Sequence, residues 1–297
     1  MWFIFSLVTI FAWGGSNLLQ KMGTNPKDEN SHWKIIVFVG FVMGLHAIGY
    51  MIFKDYHFDF FNMIKYFPVS LLYIVSMGAS YVGLRYMDLS ILAPVCNSSG
   101  AVTAILCFFI LGQPLTSLQL FGIVVVCIGI FLVSYFEKRE DDKRLRAEGT
   151  VIEKKYTHGL MALIFPLTYC VLDGLGSFAD ALYLQYYISE QDALLSYEFT
   201  FLIAGIFAFI YVKYIKKSKF VFAEDRLKGL GGVCEMIGQF TYVFAMSSNA
   251  VVAAPLIASY CVISVLMSRL VLKERLTRLQ YAAIMIVMIG IAVLGIE

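Results

Sequence analysis

Ten stretches of about twenty mostly apolar residues follow one another with little between them, and this decides the solvent the chain folds in. Each is long enough for a helix to cross the hydrocarbon of a bilayer. The runs fall at 2–21, 34–53, 67–87, 90–112, 117–136, 158–187, 192–215, 228–248, 251–272 and 278–296. Composition agrees: 60% of the 297 residues are hydrophobic and 15% charged, against about a quarter charged in soluble domains. The sequence therefore predicts an all-α integral membrane protein with ten transmembrane helices. Connections such as 87–90 and 247–250 leave no room for an extramembrane domain. The first run lacks a positive leading segment and a small-residue cleavage site, so it reads as a helix and not as a signal peptide.

Charge placement gives an expected orientation. The loops after helices one, three, five, seven and nine, with the adjoining helix ends, hold 21 of the 23 Lys and Arg residues. The other two are Lys54 and Lys65. Positive residues collect on the cytoplasmic side, which places both termini outside. The net charge of only +2 implies no nucleic acid or other polyanionic partner. The six cysteines all sit in apolar runs without CxxC spacing, which suits packing residues better than a disulfide framework or a metal site.

An offset of 161 residues aligns two halves of the chain. It pairs Tyr81 with Tyr242, Ala93-Pro94 with Ala254-Pro255, Ser98 with Ser259 and Leu111 with Leu272. It also pairs Leu115-Thr116 with Leu276-Thr277, Gln119 with Gln280 and Gly129 with Gly290. Matches of Pro, Thr and Gln in one register are not cheap coincidences of apolar composition. Five helices per half is an odd number, so the second half enters the membrane upside down. The turn at 112–117 carries no Lys or Arg, whereas its mate at 273–278 carries three, as loops on opposite sides should. The expected organisation is two inverted five-helix repeats, 1–136 and 158–297, joined by a cytoplasmic linker at 137–157. Inverted repeats are a recurrent plan of secondary transporters, with the site near mid-membrane between them.

The segment Tyr81-Val-Gly-Leu-Arg-Tyr-Met-Asp-Leu-Ser-Ile-Leu-Ala-Pro94, with Ser98-Ser99-Gly100, Leu111-Gly-Gln-Pro-Leu-Thr116 and Gln119, resembles the EamA-type repeat of the drug/metabolite transporter superfamily. The second copy, from Ala250-Val-Val-Ala-Ala-Pro255 to Leu272-Lys-Glu-Arg-Leu-Thr277, resembles it too. The resemblance covers essentially the whole chain. It implies ten helices around a central cavity and alternating access, with substrates that range from amino acids and drugs to choline-like compounds, nucleotide sugars and lipid-linked sugars. Gln113 departs from it, since Glu is common there.

Ionisable residues inside spans are expensive and point to function. Four acids lie in the runs, Asp173, Asp180, Glu198 and Glu235, and no Lys or Arg is expected comparably deep. On helix six, Tyr169, Asp173, Ser177 and Asp180 recur at three and four residues and share a face. On helix eight, Glu235, Gln239 and Tyr242 do the same, as do Trp13, Asn17 and Gln20 on helix one. His46 and Tyr50 mark helix two. Asn97 follows Pro94 and Tyr260 follows Pro255, where a break in the helix would expose backbone groups. The candidate binding residues are therefore Trp13, Asn17, His46, Asn97, Tyr169, Asp173, Ser177, Glu235, Gln239, Tyr242 and Tyr260. Asp173 and Glu235 are also candidates for proton coupling, and Trp13, Tyr169 and Tyr242 for an aromatic cage around an ammonium group. A structural hydrogen-bond face is the competing reading for each stripe, and Glu198 is as readily a structural partner as a ligand.

The expected activity is secondary transport of a small organic solute, favouring a cationic or zwitterionic amine such as a choline-like compound, an amino acid or a cationic drug. Alternatives are a flippase for an amine-bearing lipid carrier and an amino-acid or metabolite exporter without cation preference. No Walker motif suggests ATP as a driving force, the four histidines are too scattered for a catalytic set, and no cofactor or metal is implied. The expected setting is a multi-pass protein of the cell membrane, as a monomer or dimer, with the bilayer and a small molecule as its partners.

Overall fold

The computed structural model describes residues 1–24, 28–86, 99–147, 159–272 and 277–294. Among these residues it contains ten α-helices: α1 (Trp2–Gly23), α2 (Ser31–Phe53), α3 (Phe61–Tyr86), α4 (Ser99–Ile110), α5 (Ser117–Ala147), α6 (Gly159–Tyr186), α7 (Glu190–Ile210), α8 (Phe222–Ile257), α9 (Tyr260–Leu272) and α10 (Arg278–Leu294). A π-helical turn, Tyr211–Ile215, prolongs α7. Five helices are long and apolar enough to cross a membrane by themselves.

Several boundaries differ from the sequence reading. Helix α5 runs on to Ala147, into the stretch expected as linker. In the sequence Glu140 and Arg144, and Asp142 and Arg146, stand four apart there, a spacing favourable to a helix. Helix α3 begins at Phe61 and tolerates Pro68 inside its early turns. The expected eighth helix and the first turns of the expected ninth, as far as Ile257, form one helical run, α8, broken at Asn249 (φ −163°, ψ 75°). The chain breaks again at Ala258 and Ser259 before α9 begins. The short arm after Asn249 exposes free N–H groups, and Gln113 answers one of them across the fold: its side-chain carbonyl accepts the Val251 N–H at 3.0 Å. The first part of expected helix four, with Asn97 and Pro94, lies outside the described residues.

The halves embrace each other: α1 packs mainly on α8, α3 on α6, α2 on α7 and α5 on α10. These pairs are what a two-fold axis requires. The first two exchange under it, and the last two lie on it. Side chains repeat the relation. The Thr103 hydroxyl donates to the Gly174 carbonyl at 3.2 Å, and the Ser264 hydroxyl approaches the Gly14 carbonyl at 3.4 Å. A Cβ on Gly174 would strike Val102, and one on Gly14 would strike Ile263. On the axis, Gly129 lies against Val287 and Gly290 against Val126. Thr116/Gln119 and Thr277/Gln280 both form capping boxes, with each Gln carbonyl accepting the Thr N–H (3.1 and 2.8 Å) and each Thr hydroxyl accepting the Gln N–H (3.1 and 3.3 Å). The Thr and Gln matches at offset 161 are thus two copies of one helix start.

Candidate functional site

Between the halves lies a cavity of about 790 Å³, counting its open mouth. It is built where the polar stripes of α1, α6 and α8 converge. From α1 come Trp13, Asn17 and Gln20, one helical face at spacings of four and three. Across from them α8 presents Glu235, Gln239 and Tyr242, and α6 presents Tyr169, Asp173 and Ser177. The end of α8 adds Ala254, Ile257 and Ala258, and α9 adds Tyr260 just past the helix break. At that break the Leu256 carbonyl accepts both the Ser259 N–H at 3.0 Å and the Ser259 hydroxyl at 2.6 Å.

An aromatic cluster forms one wall. The Trp13 ring lies 5.1 Å from Tyr242 and meets Tyr260 edge-on at 5.8 Å. Gly238 makes room for it: a Cβ there would fall 2.3 Å from Trp13 Cδ1. A hydroxyl chain runs on from Tyr242, which stands 2.6 Å from the Tyr73 hydroxyl; Tyr73 donates to Ser177 at 3.2 Å. The hydroxyls of Ser99 and Tyr169 lie near the Asp173 carboxylate. Glu235 is buried in the wall and Asp173 is half-buried. Gln239 is buried, and its side-chain N–H₂ has no partner among the described residues.

Nine of the eleven sequence candidates line this cavity: Trp13, Asn17, Tyr169, Asp173, Ser177, Glu235, Gln239, Tyr242 and Tyr260. Asn97 lies outside the described residues. His46 is elsewhere. Its Nδ1 stands 2.8 and 2.9 Å from the two carboxylate oxygens of Glu198, so the imidazole joins α2 to α7 and does not line the cavity. Asp180 also lies outside the lining; it accepts a hydrogen bond from the Tyr66 hydroxyl and ties α6 to α3. Sequence reasoning missed Tyr73, Met77 and Ser80 of α3 and Tyr197 of α7. The α3 set was legible, because 73, 77 and 80 fall on one helical face, but it carries no ionisable carboxylate to draw the eye.

Two lysines are more buried than the sequence suggested, both on the Lys/Arg-rich side. Lys228 is 1% exposed and pairs with Asp225 at 2.6 Å. Lys34 pairs with Asp28 at 2.7 Å and donates to the Lys219 carbonyl at 2.7 Å, which fastens the α1–α2 connection to the α7–α8 connection. Partial burial pushes the Asp28 carboxyl up, but the bonds from Lys34 and the Asn30 N–H outweigh it and hold the group below its ordinary range. No Lys or Arg is among the described residues that line the cavity.

Comparison with known proteins adds three findings. A profile of the EamA-like transporter family matches residues 1–135 and 163–296. No curated protein matches the chain. One protein solved by crystallography superposes with a TM-score of 0.73 over 98% of this chain and 94% of its own, at 12% identity; that likeness is one of fold.

Proposed function

We propose, from the premise that this chain belongs to the EamA-like transporter family, that it carries a cationic or zwitterionic amine through the cavity between its halves. Membership makes it a multi-pass membrane transporter of small solutes. The amine is our own reading, and one observation carries it: two carboxylates, Asp173 and Glu235, share a cavity walled by Trp13, Tyr242 and Tyr260, with no Lys or Arg among its described lining residues. Buried carboxylates need a counter-charge or a proton. An ammonium group supplies the charge, and aromatic faces add cation–π attraction of about 0.5–2 kcal/mol. An amine that enters competes with protons for the same carboxylates, which makes exchange of one for the other the natural cycle.

The test is ligand-induced thermal stabilisation of the purified protein by choline, other quaternary amines, amino acids and polyamines. The expected result is stabilisation by cationic compounds that is lost in Asp173→Asn and in Glu235→Gln. Stabilisation only by neutral or anionic compounds, unchanged in both variants, would overturn the reading.

A further inference from the structure

Outside the cavity lining sits another buried carboxylate. Glu198 is 0% exposed, and both of its carboxylate oxygens face Nδ1 of His46 at 2.8 and 2.9 Å. The His46 side chain is 23% exposed, so the imidazole is the less buried end of the pair. A buried ion pair of this kind is a poor source of stability, because desolvating both groups offsets their attraction. A neutral imidazole beside the carboxylate leaves one net negative charge in an apolar span. One added proton makes the pair neutral. Histidine can accept that proton at its outer nitrogen and pass charge to the carboxylate through Nδ1.

Position ties the pair to the cavity and to the joint between the halves. His46 belongs to one half and Glu198 to the other, on the two helices that meet across the pseudo-two-fold axis. Six residues back along α2, or about 9 Å, the backbones touch: a Cβ on Gly40 would lie 2.6 Å from the Phe201 carbonyl and 2.9 Å from Gly205 Cα. The residue before Glu198 is Tyr197, which lines the cavity. Phe240, whose ring meets the His46 ring edge-on at 5.9 Å, follows Gln239, which also lines it. The titratable groups the structure places around the pair are phenols and one exposed-end acid. Tyr50 lies 6.1 Å from the His46 ring on α2, Tyr197 adjoins Glu198 on α7, and Tyr56 lies 6.0 Å from Tyr50 and bonds Asp192 at 3.2 Å. Helix α8 contributes the apolar Phe240.

We propose that His46 and Glu198 together form a proton-binding site, separate from the solute cavity, whose occupancy governs how the two halves engage during transport. The idea rests on the chain being a solute carrier. Protons that compete with the amine at Asp173 and Glu235 change its apparent affinity, and saturating amine abolishes their effect. Protons at the His46–Glu198 pair act on the moving halves and remain effective at saturation.

The experiment measures choline uptake into proteoliposomes from pH 5.5 to 8.5, for the wild type, His46→Gln, Glu198→Gln and the double variant, which keeps an amide–amide hydrogen bond where a single variant fails to fold. The expected wild-type maximal rate changes by about tenfold across the range, while the variants stay flat to within about twofold and keep the wild-type pH dependence of KM. A maximal-rate profile unchanged in the variants, or a KM profile lost in them, overturns the proposal. If the wild type carries no choline or other amine, the cavity reading fails, and the pair is judged without ligand. The nitrogen NMR signal of labelled protein that disappears in His46→Gln should then titrate as one proton and move its midpoint by about one pH unit or more in Glu198→Gln. A signal whose titration ignores Glu198→Gln overturns the proposal.

Discussion

Gly238 is where a single methyl group tests the cavity wall most directly. Its Cβ would stand 2.3 Å from Trp13 Cδ1 and 2.4 Å from Nε1. Ordinary carbon contacts begin near 3.5 Å, so the indole must retreat by about 1.2 Å. It is already wedged against Tyr242 and Tyr260 at ring separations of 5.1 and 5.8 Å. Over-packing of this sort costs about 1–3 kcal/mol, and a displacement of about 1 Å at a positioned group can cost about a hundredfold in function. Gly238→Ala should therefore lower the melting temperature in detergent by several degrees and weaken choline-induced stabilisation by about tenfold or more. Gly78→Ala is the control. A Cβ there meets nothing within 4 Å, and alanine favours a helix over glycine by about 1 kcal/mol, so it should be neutral or stabilising. Wild-type stability and ligand response in Gly238→Ala would refute the claim that the Trp13 position shapes the site.

Three further outcomes follow from the packing. Gly129→Ala and Gly290→Ala should destabilise to similar extents, about 1–3 kcal/mol each, since their Cβ atoms would meet mutually equivalent valines at 2.5 and 2.7 Å with backbone nitrogens behind them at 2.9 Å; thermal unfolding of both variants checks this, and a harmless member would break the symmetry argument. Asp225→Ala should cost about 3–5 kcal/mol by leaving the buried Lys228 unpaired, and the added Lys228→Met change should recover most of the loss in the same measurement. Asp28, held below its ordinary value, contributes stability that is fully present above the unfolded value of about 3.9 and is lost as pH falls through its lower folded value; the acid limb of a melting-temperature profile should flatten in Asp28→Asn.

The sequence made the architecture legible for a physical reason. In lipid every backbone group must be satisfied within the helix, so long apolar runs translate almost directly into spans. The boundaries were harder. Hydropathy cannot see that the charged run after Phe136 continues as helix, because charged residues spaced four apart support a helix in water as readily as apolar ones do in lipid. It also read 251–272 as one span, whereas the helix breaks at Ala258 and Ser259, just past Pro255. His46 was misplaced because helical spacing fixes only which residues share a face. Nothing in the α2 sequence says that its partner is a carboxylate of α7 and not the cavity.

The residues that repeat and the residues that line the cavity are largely different sets, and the division has a cause. Thr116/Thr277, Gln119/Gln280 and Gly129/Gly290 start helices or let them touch, and an axis between two halves demands the same solution twice. The cavity lies on that axis too, yet its walls do not match. On α1 the lining residues are Trp13, Asn17 and Gln20; a shift of 160 residues places Asp173, Ser177 and Asp180 at the matching positions of α6, of which Asp173 and Ser177 line the cavity and Asp180 lies outside it. Geometry is preserved while chemistry diverges, from a ring and two amides to two carboxylates and a hydroxyl. Acid and aromatic surface are mixed on both sides, since α8 adds Glu235 next to the Trp13–Tyr242 wall and α6 carries Tyr169 beside Asp173. The packing outside the cavity also differs: Asp180 takes a tyrosine hydroxyl from α3, whereas the α1–α8 end is held beside the Asp225–Lys228 ion pair. The symmetry that pairs the helices therefore does not make the two sides of the cavity chemically equivalent.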